Sequence, residues 1–164
     1  MPTLLVVHHS PTPGTRRLTD AAVAGAGDDA IGGVGVRVRA ALDADAHDVR
    51  AADGYVLVTP ANFGYMSGAL KHFFDTVFTD VGGALSDDGS ADGAAGGTAG
   101  RPYGLLVRGR YDVTGAVRSV EPIVGALGWR RSAEVVGVLG EVGPAHDEAA
   151  YELGATIAAL VSTT

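Results

Sequence analysis

Hydroxyl side chains are concentrated near the start of the sequence, between an apolar run and a helical pattern. The run Leu4–Val7 is followed by residues 8–15 (HHSPTPGT) and then by a helical segment. The N–H groups and the positive dipole end of a helix N-terminus attract an anion, and hydroxyls add hydrogen-bond donors. This combination suits a terminal phosphate monoester. The alternative is that Ser10, Thr12 and Thr15 only form the turn and cap the helix.

A second segment with a distinctive pattern, residues 59–75 (TPANFGYMSGALKHFFD), follows the apolar run Tyr55–Val58. It resembles the P-x-x-F-G-x-M-S-G motif of the WrbA-type quinone reductases. More loosely, it is similar to the P-x-Y-N-G-x-x-P-G-x-L-K motif of NADPH-dependent FMN reductases. The resemblance extends from residues 10–15 through Gly128 and Trp129 to the C-terminal helical pattern, and residues 60–75 are its specific part.

The resemblance implies that FMN is the cofactor and that three loops hold it. The first loop would bind the FMN phosphate through Ser10, Thr12, Gly14 and Thr15. The second would line the isoalloxazine ring with Pro60, Ala61, Asn62, Phe63, Gly64, Tyr65 and Met66. The third would close the other side with Gly109, Arg110, Tyr111 and Asp112. In this third loop the WrbA-type pattern has Gly-Gly followed by Gln or Glu, which this sequence lacks, so the substrate preference stays open.

The resemblance also implies an activity. An enzyme of this kind takes hydride from NADPH or NADH onto flavin N5 and passes electrons to a quinone or a similar small acceptor. Because the cofactor carries this chemistry, no catalytic side chain is expected. Relatives are commonly dimers or tetramers, which implies a homodimer or homotetramer. The alternatives are a flavodoxin-type electron carrier, which the acidic net charge also suits, and a cofactor-free flavodoxin-like domain that serves protein association.

Two tyrosines in these loops have the chemistry of stacking groups. Tyr65 and Tyr111 combine an aromatic face with a polar hydroxyl, which suits stacking on a flavin or a nicotinamide. The alternative is that both are ordinary exposed loop residues.

Other chemistries fit the sequence less well. Residues 64–68 (GYMSG) are not a G-x-S-x-G nucleophile elbow, because Ser67 stands one place late. His8 and His9 are adjacent in an extended segment and point to opposite faces, which argues against a shared metal site. Neither G-x-G-x-x-G nor a Walker A motif is present, and the single lysine, Lys71, lies within a helical pattern.

Five apolar runs predict the strands that position these loops: Leu4–Val7, Val34–Leu42, Tyr55–Val58, Tyr103–Val107 and Ala133–Leu139. The first and third are continuous, which is typical of central parallel strands, whereas the second alternates and is predicted at an edge. Helical patterns between them predict an α/β fold, a doubly wound five-stranded parallel sheet with helices on both faces. The expected order is the flavodoxin-like 2-1-3-4-5, whose ligand crevice opens at the carboxyl ends of strands one and three.

The helical patterns differ in clarity. The clearest helix follows Ser67, a predicted N-cap, and its apolar stripe consists of Leu70, Phe73, Phe74, Val77 and Phe78. A later stripe from Val117 to Leu127 contains Pro122, which predicts either a kink or a helix that starts late.

Composition limits the remaining possibilities. The 164 residues predict one domain over 1–164, with a flexible Gly/Ala/Asp-rich surface loop at about 82–100. The absence of cysteine excludes disulfides and cysteine-based metal sites. The net charge of -7 argues against nucleic-acid partners. No apolar run approaches the roughly 20 residues that cross a bilayer, and no leader-like segment precedes Leu4, so the expected location is cytoplasmic.

Overall fold

The computed structural model describes residues 1–83, 87–88 and 97–164. Most of the predicted flexible loop, namely 84–86 and 89–96, therefore lies outside the described residues. The strands are β1 (Thr3–His8), β2 (Gly35–Ala40), β3 (Gly54–Asn62), β4 (Tyr65–Met66), β5 (Pro102–Gly109), β6 (Arg130–Arg131) and β7 (Val136–Leu139). The helices are α1 (Pro13–Ala26), α2 (Ala46–Ala51), α3 (Gly68–Val77), α4 (Thr114–Ala126) and α5 (Pro144–Ser162).

The main sheet is parallel and has the predicted order. Strand β1 lies between β2 and β3, and β5 follows β3. The last predicted strand, Ala133–Leu139, is shortened to β7, which pairs with the end of β5, while β6 precedes the predicted run and pairs with the start of β5. The prediction of five strands is corrected in this detail: the described residues contain seven, and the additional two, β4 and β6, have two residues each.

Burial follows the strand patterns. Leu4–Val7 of β1 are fully buried, as expected for a central strand covered on both faces. Strand β2 lies at the sheet edge, and its Arg37 and Val38 are exposed. The alternating pattern of residues 34–42 therefore does mark an edge.

Helices cover the two faces of the sheet and form two cores. Leu5 and Val7 point into the core that α3 and α4 complete through side chains such as Phe73 and Val120. Leu4 and Val6 point into the other core, to which α1 and α5 contribute, for example through Leu18. Successive side chains of β1 thus point alternately into the two cores on opposite faces of the sheet.

The first and last helices touch through glycines. A Cβ added to Gly154 of α5 would lie 1.9 Å from the carbonyl oxygen of Ala22 in α1. A Cβ at Gly25 of α1 would meet the carbonyl oxygen of Tyr151 at the same distance. The two backbones are therefore in direct contact, which a side chain at either position would prevent.

The helix predictions are confirmed in one case and corrected in two. Ser67 caps α3, and its Oγ accepts a hydrogen bond from the N–H of Leu70 at 3.2 Å. Helix α4 begins at Thr114 and continues through Pro122, so of the two alternatives for this proline, a kink or a late start, the late start is wrong. Helix α2 was not predicted, and it begins with a reciprocal capping box between Asp45 and Asp48.

Candidate functional site

The loop after β1 brings hydroxyls together at the N-terminus of α1. Thr12 is the N-cap, and its Oγ1 accepts a hydrogen bond from the N–H of Thr15 at 3.3 Å and lies 3.1 Å from the Thr15 hydroxyl. Pro13 occupies the first helical position, where its missing N–H costs nothing. Thr12 is exposed and Thr15 is buried. The sequence predicted an anion-binding turn at these two threonines.

Ser10 is arranged differently. Its Oγ is hydrogen-bonded to Nδ1 of His8 at 2.8 Å and to Oγ1 of Thr19 at 2.7 Å. The Thr19 hydroxyl in turn donates to the carbonyl oxygen of Thr15 at 3.1 Å. The pKa of His8 is lowered, first by burial and then by the nearby charge of Arg16. Ser10 is thus part of a series of hydrogen bonds that connects the end of β1 to the first turns of α1.

Residues 60–66, expected as a loop, form a β-hairpin instead. Strand β3 runs on to Asn62, and β4 returns antiparallel, with Asn62 opposite Tyr65. Phe63 and Gly64 form the tip with φ of 52° and 73°, the two positive values that a two-residue type I′ turn requires. Among the described residues, Phe63 is the only one other than glycine with a positive φ.

The hairpin divides its predicted site residues between two environments. Phe63 at the tip is fully exposed, and Tyr65 is 43% exposed. Met66 is buried in the core next to α3 and α4, and its N–H donates to Ser119 Oγ at 3.0 Å. A Cβ at Gly115 would lie 2.1 Å from the carbonyl oxygen of Gly64, so the tip rests directly on the first turn of α4.

The third predicted loop, residues 109–112, begins at the last residue of β5 and leads toward α4. Gly109 is buried, and a Cβ there would lie 2.8 Å from the carbonyl oxygen of Asp112. Asp112 Oδ1 accepts hydrogen bonds from the N–H and the hydroxyl of Thr114, at 3.0 and 2.7 Å, and these bonds lower its pKa. Tyr111 is 80% exposed, and the Arg110 guanidinium lies 5.2 Å from its ring centre.

A cleft of about 410 Å³ opens where these segments meet, at the carboxyl ends of the central strands. Seven predicted site residues line it: Thr12, Thr15, Pro60, Ala61, Asn62, Gly109 and Arg110. The other eight lie outside this lining: Ser10, Gly14, Phe63, Gly64, Tyr65, Met66, Tyr111 and Asp112.

Four lining residues were not predicted: Pro11, Arg108, Gly140 and Glu141. Arg108 stands at the end of β5, one residue before the predicted third loop, and residues 140–141 follow β7. The sequence did contain a signal for cleft residues after these strands, because ligands of doubly wound sheets bind outside the carboxyl ends of the strands. Applied to the fourth and fifth apolar runs, that rule would have included Arg108, Gly140 and Glu141.

Comparisons with known proteins agree with this architecture. Residues 35–132 match the family described as NADPH-dependent FMN reductase. A flavodoxin of Aquifex aeolicus is 32% identical over 82 residues, which are 50% of this chain and 43% of that protein. The chain thus matches less than half the length of this curated relative.

Two solved structures show the same fold. A flavodoxin from the domain Archaea superposes with a TM-score of 0.77 at 16% identity, covering 97% of this chain and 98% of that one. A WrbA-like flavodoxin from Agrobacterium tumefaciens gives 0.73 at 17% identity, covering 99% of each. These likenesses confirm the predicted flavodoxin-like fold class. In the part of the chain that the structure describes, no helix is both long and apolar enough to cross a membrane.

Proposed function

The chain belongs to the NADPH-dependent FMN reductase family, and from that premise we propose that it is an FMN-dependent NAD(P)H oxidoreductase that reduces a quinone or a similar small acceptor. The observation that carries the proposal is the cleft between the threonine turn before α1 and the hairpin after β3. It lies at the switch point of a doubly wound sheet, where such folds bind ligands.

The residues around the cleft fit a phosphorylated flavin. Its volume of about 410 Å³ is in the range of small-molecule sites, roughly 300–1,000 Å³. Hydroxyls and the N-terminus of α1 stand at one end, next to the guanidinium of Arg108. A Cβ at Gly14 would lie 3.0 Å from Cζ of Arg108, so the guanidinium packs directly against this glycine.

Each segment of the chain has a task in this proposal. Thr12 and Thr15 hold the phosphate, Pro60–Asn62 and residues 109–110 border the ring system, and Tyr65 and Tyr111 offer aromatic faces beside it. When bound, FMN supplies the redox chemistry, accepting hydride from the nicotinamide and handing electrons to the acceptor. The protein positions both partners and needs no side chain that exchanges a proton.

Steady-state turnover tests the proposal. Purified protein supplied with FMN should oxidise NADPH or NADH in the presence of benzoquinone over many cycles and without a second protein. The matched control is the same reaction with riboflavin at equal concentration, which lacks the phosphate. Nicotinamide oxidation that does not exceed the rate of free FMN would contradict the proposal.

A second candidate function is that of an electron carrier. It is supported by the 32% identity to a flavodoxin and by the net charge of -7, which suits docking to a basic protein partner. A carrier would bind FMN and accept electrons from dithionite while both nicotinamides reduce it slowly. The turnover experiment therefore separates the two candidates.

We extend the proposal to the setting in which the enzyme works. Residues 1–164 would form one domain that assembles into a homodimer or homotetramer, as the resemblance to the WrbA-type quinone reductases implies. NADPH and NADH are donors of the cytoplasm, so we place the protein there. Size-exclusion chromatography with light scattering tests the assembly directly.

A further inference from the structure

Arg108 stands at a distinctive place in the fold. It is the second-last residue of β5, and Leu106, two residues earlier, belongs to the core that α1 and α5 cover. Side chains two apart on a strand share a face, so Arg108 points toward the same helices, beyond the end of their core. That position lies beside the N-terminus of α1.

Hydrogen bonds hold the Arg108 guanidinium in this position. Nε and Nη2 both donate to the carbonyl oxygen of Gly140, at 3.2 and 2.9 Å. Nη1 reaches Oγ1 of Thr12 at 3.4 Å. The planar group is thus fixed on one side by the loop after β7, and its other edge faces the threonine turn. A guanidinium has five N–H donors, so this arrangement leaves capacity for a ligand.

The charge of Arg108 has no counterion within the described residues: the ion pairs found there involve other arginines and lysine. Arg110 also lines the cleft and forms no ion pair among the described residues, but its guanidinium lies beside the Tyr111 ring, whereas that of Arg108 lies beside Thr12. Glu141 also lines the cleft but forms no ion pair with Arg108. An anion that enters the cleft would therefore meet a fixed, unneutralised cation.

We infer that Arg108 is the residue that selects the phosphorylated form of the flavin, by setting its guanidinium against the phosphate monoester held at Thr12 and Thr15. The inference rests on the function proposed above. Arginine suits this task, since its fork of donors matches phosphate oxygens and keeps its charge at every relevant pH. The neutral hydroxyls of the turn would then fix the position of the phosphate, and Arg108 would supply most of the preference for it.

Binding of two flavins to the full chain tests the inference without relying on activity. Dissociation constants of FMN and riboflavin are measured by quenching of flavin fluorescence for wild type, Arg108→Gln and Arg108→Lys. Arg130→Gln is the matched control, because it removes the same charge from an exposed residue beside Pro102, at the opposite end of β5. Melting temperatures confirm that each variant is folded.

Arg108→Gln should weaken FMN binding about 10- to 100-fold, the scale of a lost charge-assisted hydrogen bond, and change riboflavin binding less than about threefold. Arg108→Lys should keep part of the preference for FMN, and Arg130→Gln should behave as wild type.

Three results would overturn the inference, and they differ in what they say about the proposed function. If Arg108→Gln binds FMN and riboflavin as tightly as wild type does, the inference is wrong and the function stands. If both flavins weaken equally, Arg108 only supports the loop at Gly140. If wild type binds neither flavin, the proposed function fails and the inference falls with it.

Discussion

Individual residues in the turn before α1 have different structural roles. Thr12 caps the helix from an exposed position at the mouth of the cleft, whereas Ser10 is engaged with His8 and Thr19 beneath it. From the sequence, Ser10, Thr12 and Thr15 could each be an anion ligand or a turn former, and nothing in the sequence distinguished these two roles. We expect the phosphate to depend on Thr12 and Thr15 more than on Ser10.

A carboxylate at Thr12 tests where the phosphate lies. Asp is as good an N-cap as Thr, so Thr12→Asp should leave the free energy of unfolding within about 0.5 kcal/mol of wild type. It should nevertheless weaken FMN binding at least about tenfold, because the carboxylate repels the phosphate and competes for Arg108. Fluorescence titration measures the affinity, with Thr12→Ser as the conservative control. Unchanged FMN affinity in Thr12→Asp would place the phosphate elsewhere.

The half-buried His8 should make stability depend on pH. Burial lowers its folded pKa below the ordinary 6.5, so the unfolded chain binds the proton more tightly. The stabilisation is complete above pH 6.5 and is lost as the pH falls below that value toward the folded pKa. His8→Gln should flatten the decline in melting temperature between pH 7 and 5. The control is His72→Gln, on an exposed position of α3. Equal pH profiles for wild type and His8→Gln would contradict this assignment.

Among the elements, α1 and α5 have the tightest contact. Gly154→Ala should destabilise the protein by about 1–3 kcal/mol, because its Cβ would stand 1.9 Å from the Ala22 oxygen and force the helices apart. Thermal unfolding should show a melting temperature lower by roughly 3–10 °C. In Gly125→Ala on α4, where a Cβ meets nothing within 4 Å, alanine should be neutral or slightly stabilising. A Gly154→Ala protein as stable as wild type would mean that the two helices can separate freely.

The elements also show what sequence patterns can and cannot convey. Apolar runs predicted the strand order because each central strand buries both faces. The hairpin was missed because Phe63 holds a left-handed conformation that only tertiary support maintains, and its sequence offers Gly64 alone as a turn signal. The late helix start considered at Pro122 does not occur. The burial of Ala116, Val120 and Val124 stabilises α4 by more than the one missing hydrogen bond on its exposed side destabilises it.

The position of the cleft was predictable from the sequence, but its complete lining was not. Parallel strands bring their carboxyl ends to one edge whatever the loops contain, so Thr12, Asn62 and Gly109 were expected to meet. Whether a side chain near that edge faces the cleft depends on how far each strand extends. Met66 is buried because β4 turns it inward, and Arg108 enters the cleft because Gly14 leaves it room.

At the scale of the whole molecule, the cofactor should stabilise the fold. FMN at about 100 times its dissociation constant should add about 2.7 kcal/mol to the free energy of unfolding, since it binds only the folded chain. Differential scanning fluorimetry should then record a melting temperature higher by roughly 5–11 °C. Riboflavin at the same concentration should raise it less. No shift with either flavin would favour a domain that has no cofactor.

The glycine contact between α1 and α5 also bears on the order of folding. It joins two helices that are far apart in sequence, since α1 follows β1 and α5 is the last described element. Contacts between distant parts of a chain close slowly, so α1 should pack on the sheet first and meet α5 late. The threonine turn is built on the first residues of α1, and its final position should depend on that late step. We therefore expect FMN to bind the completed fold and to slow unfolding rather than to speed folding.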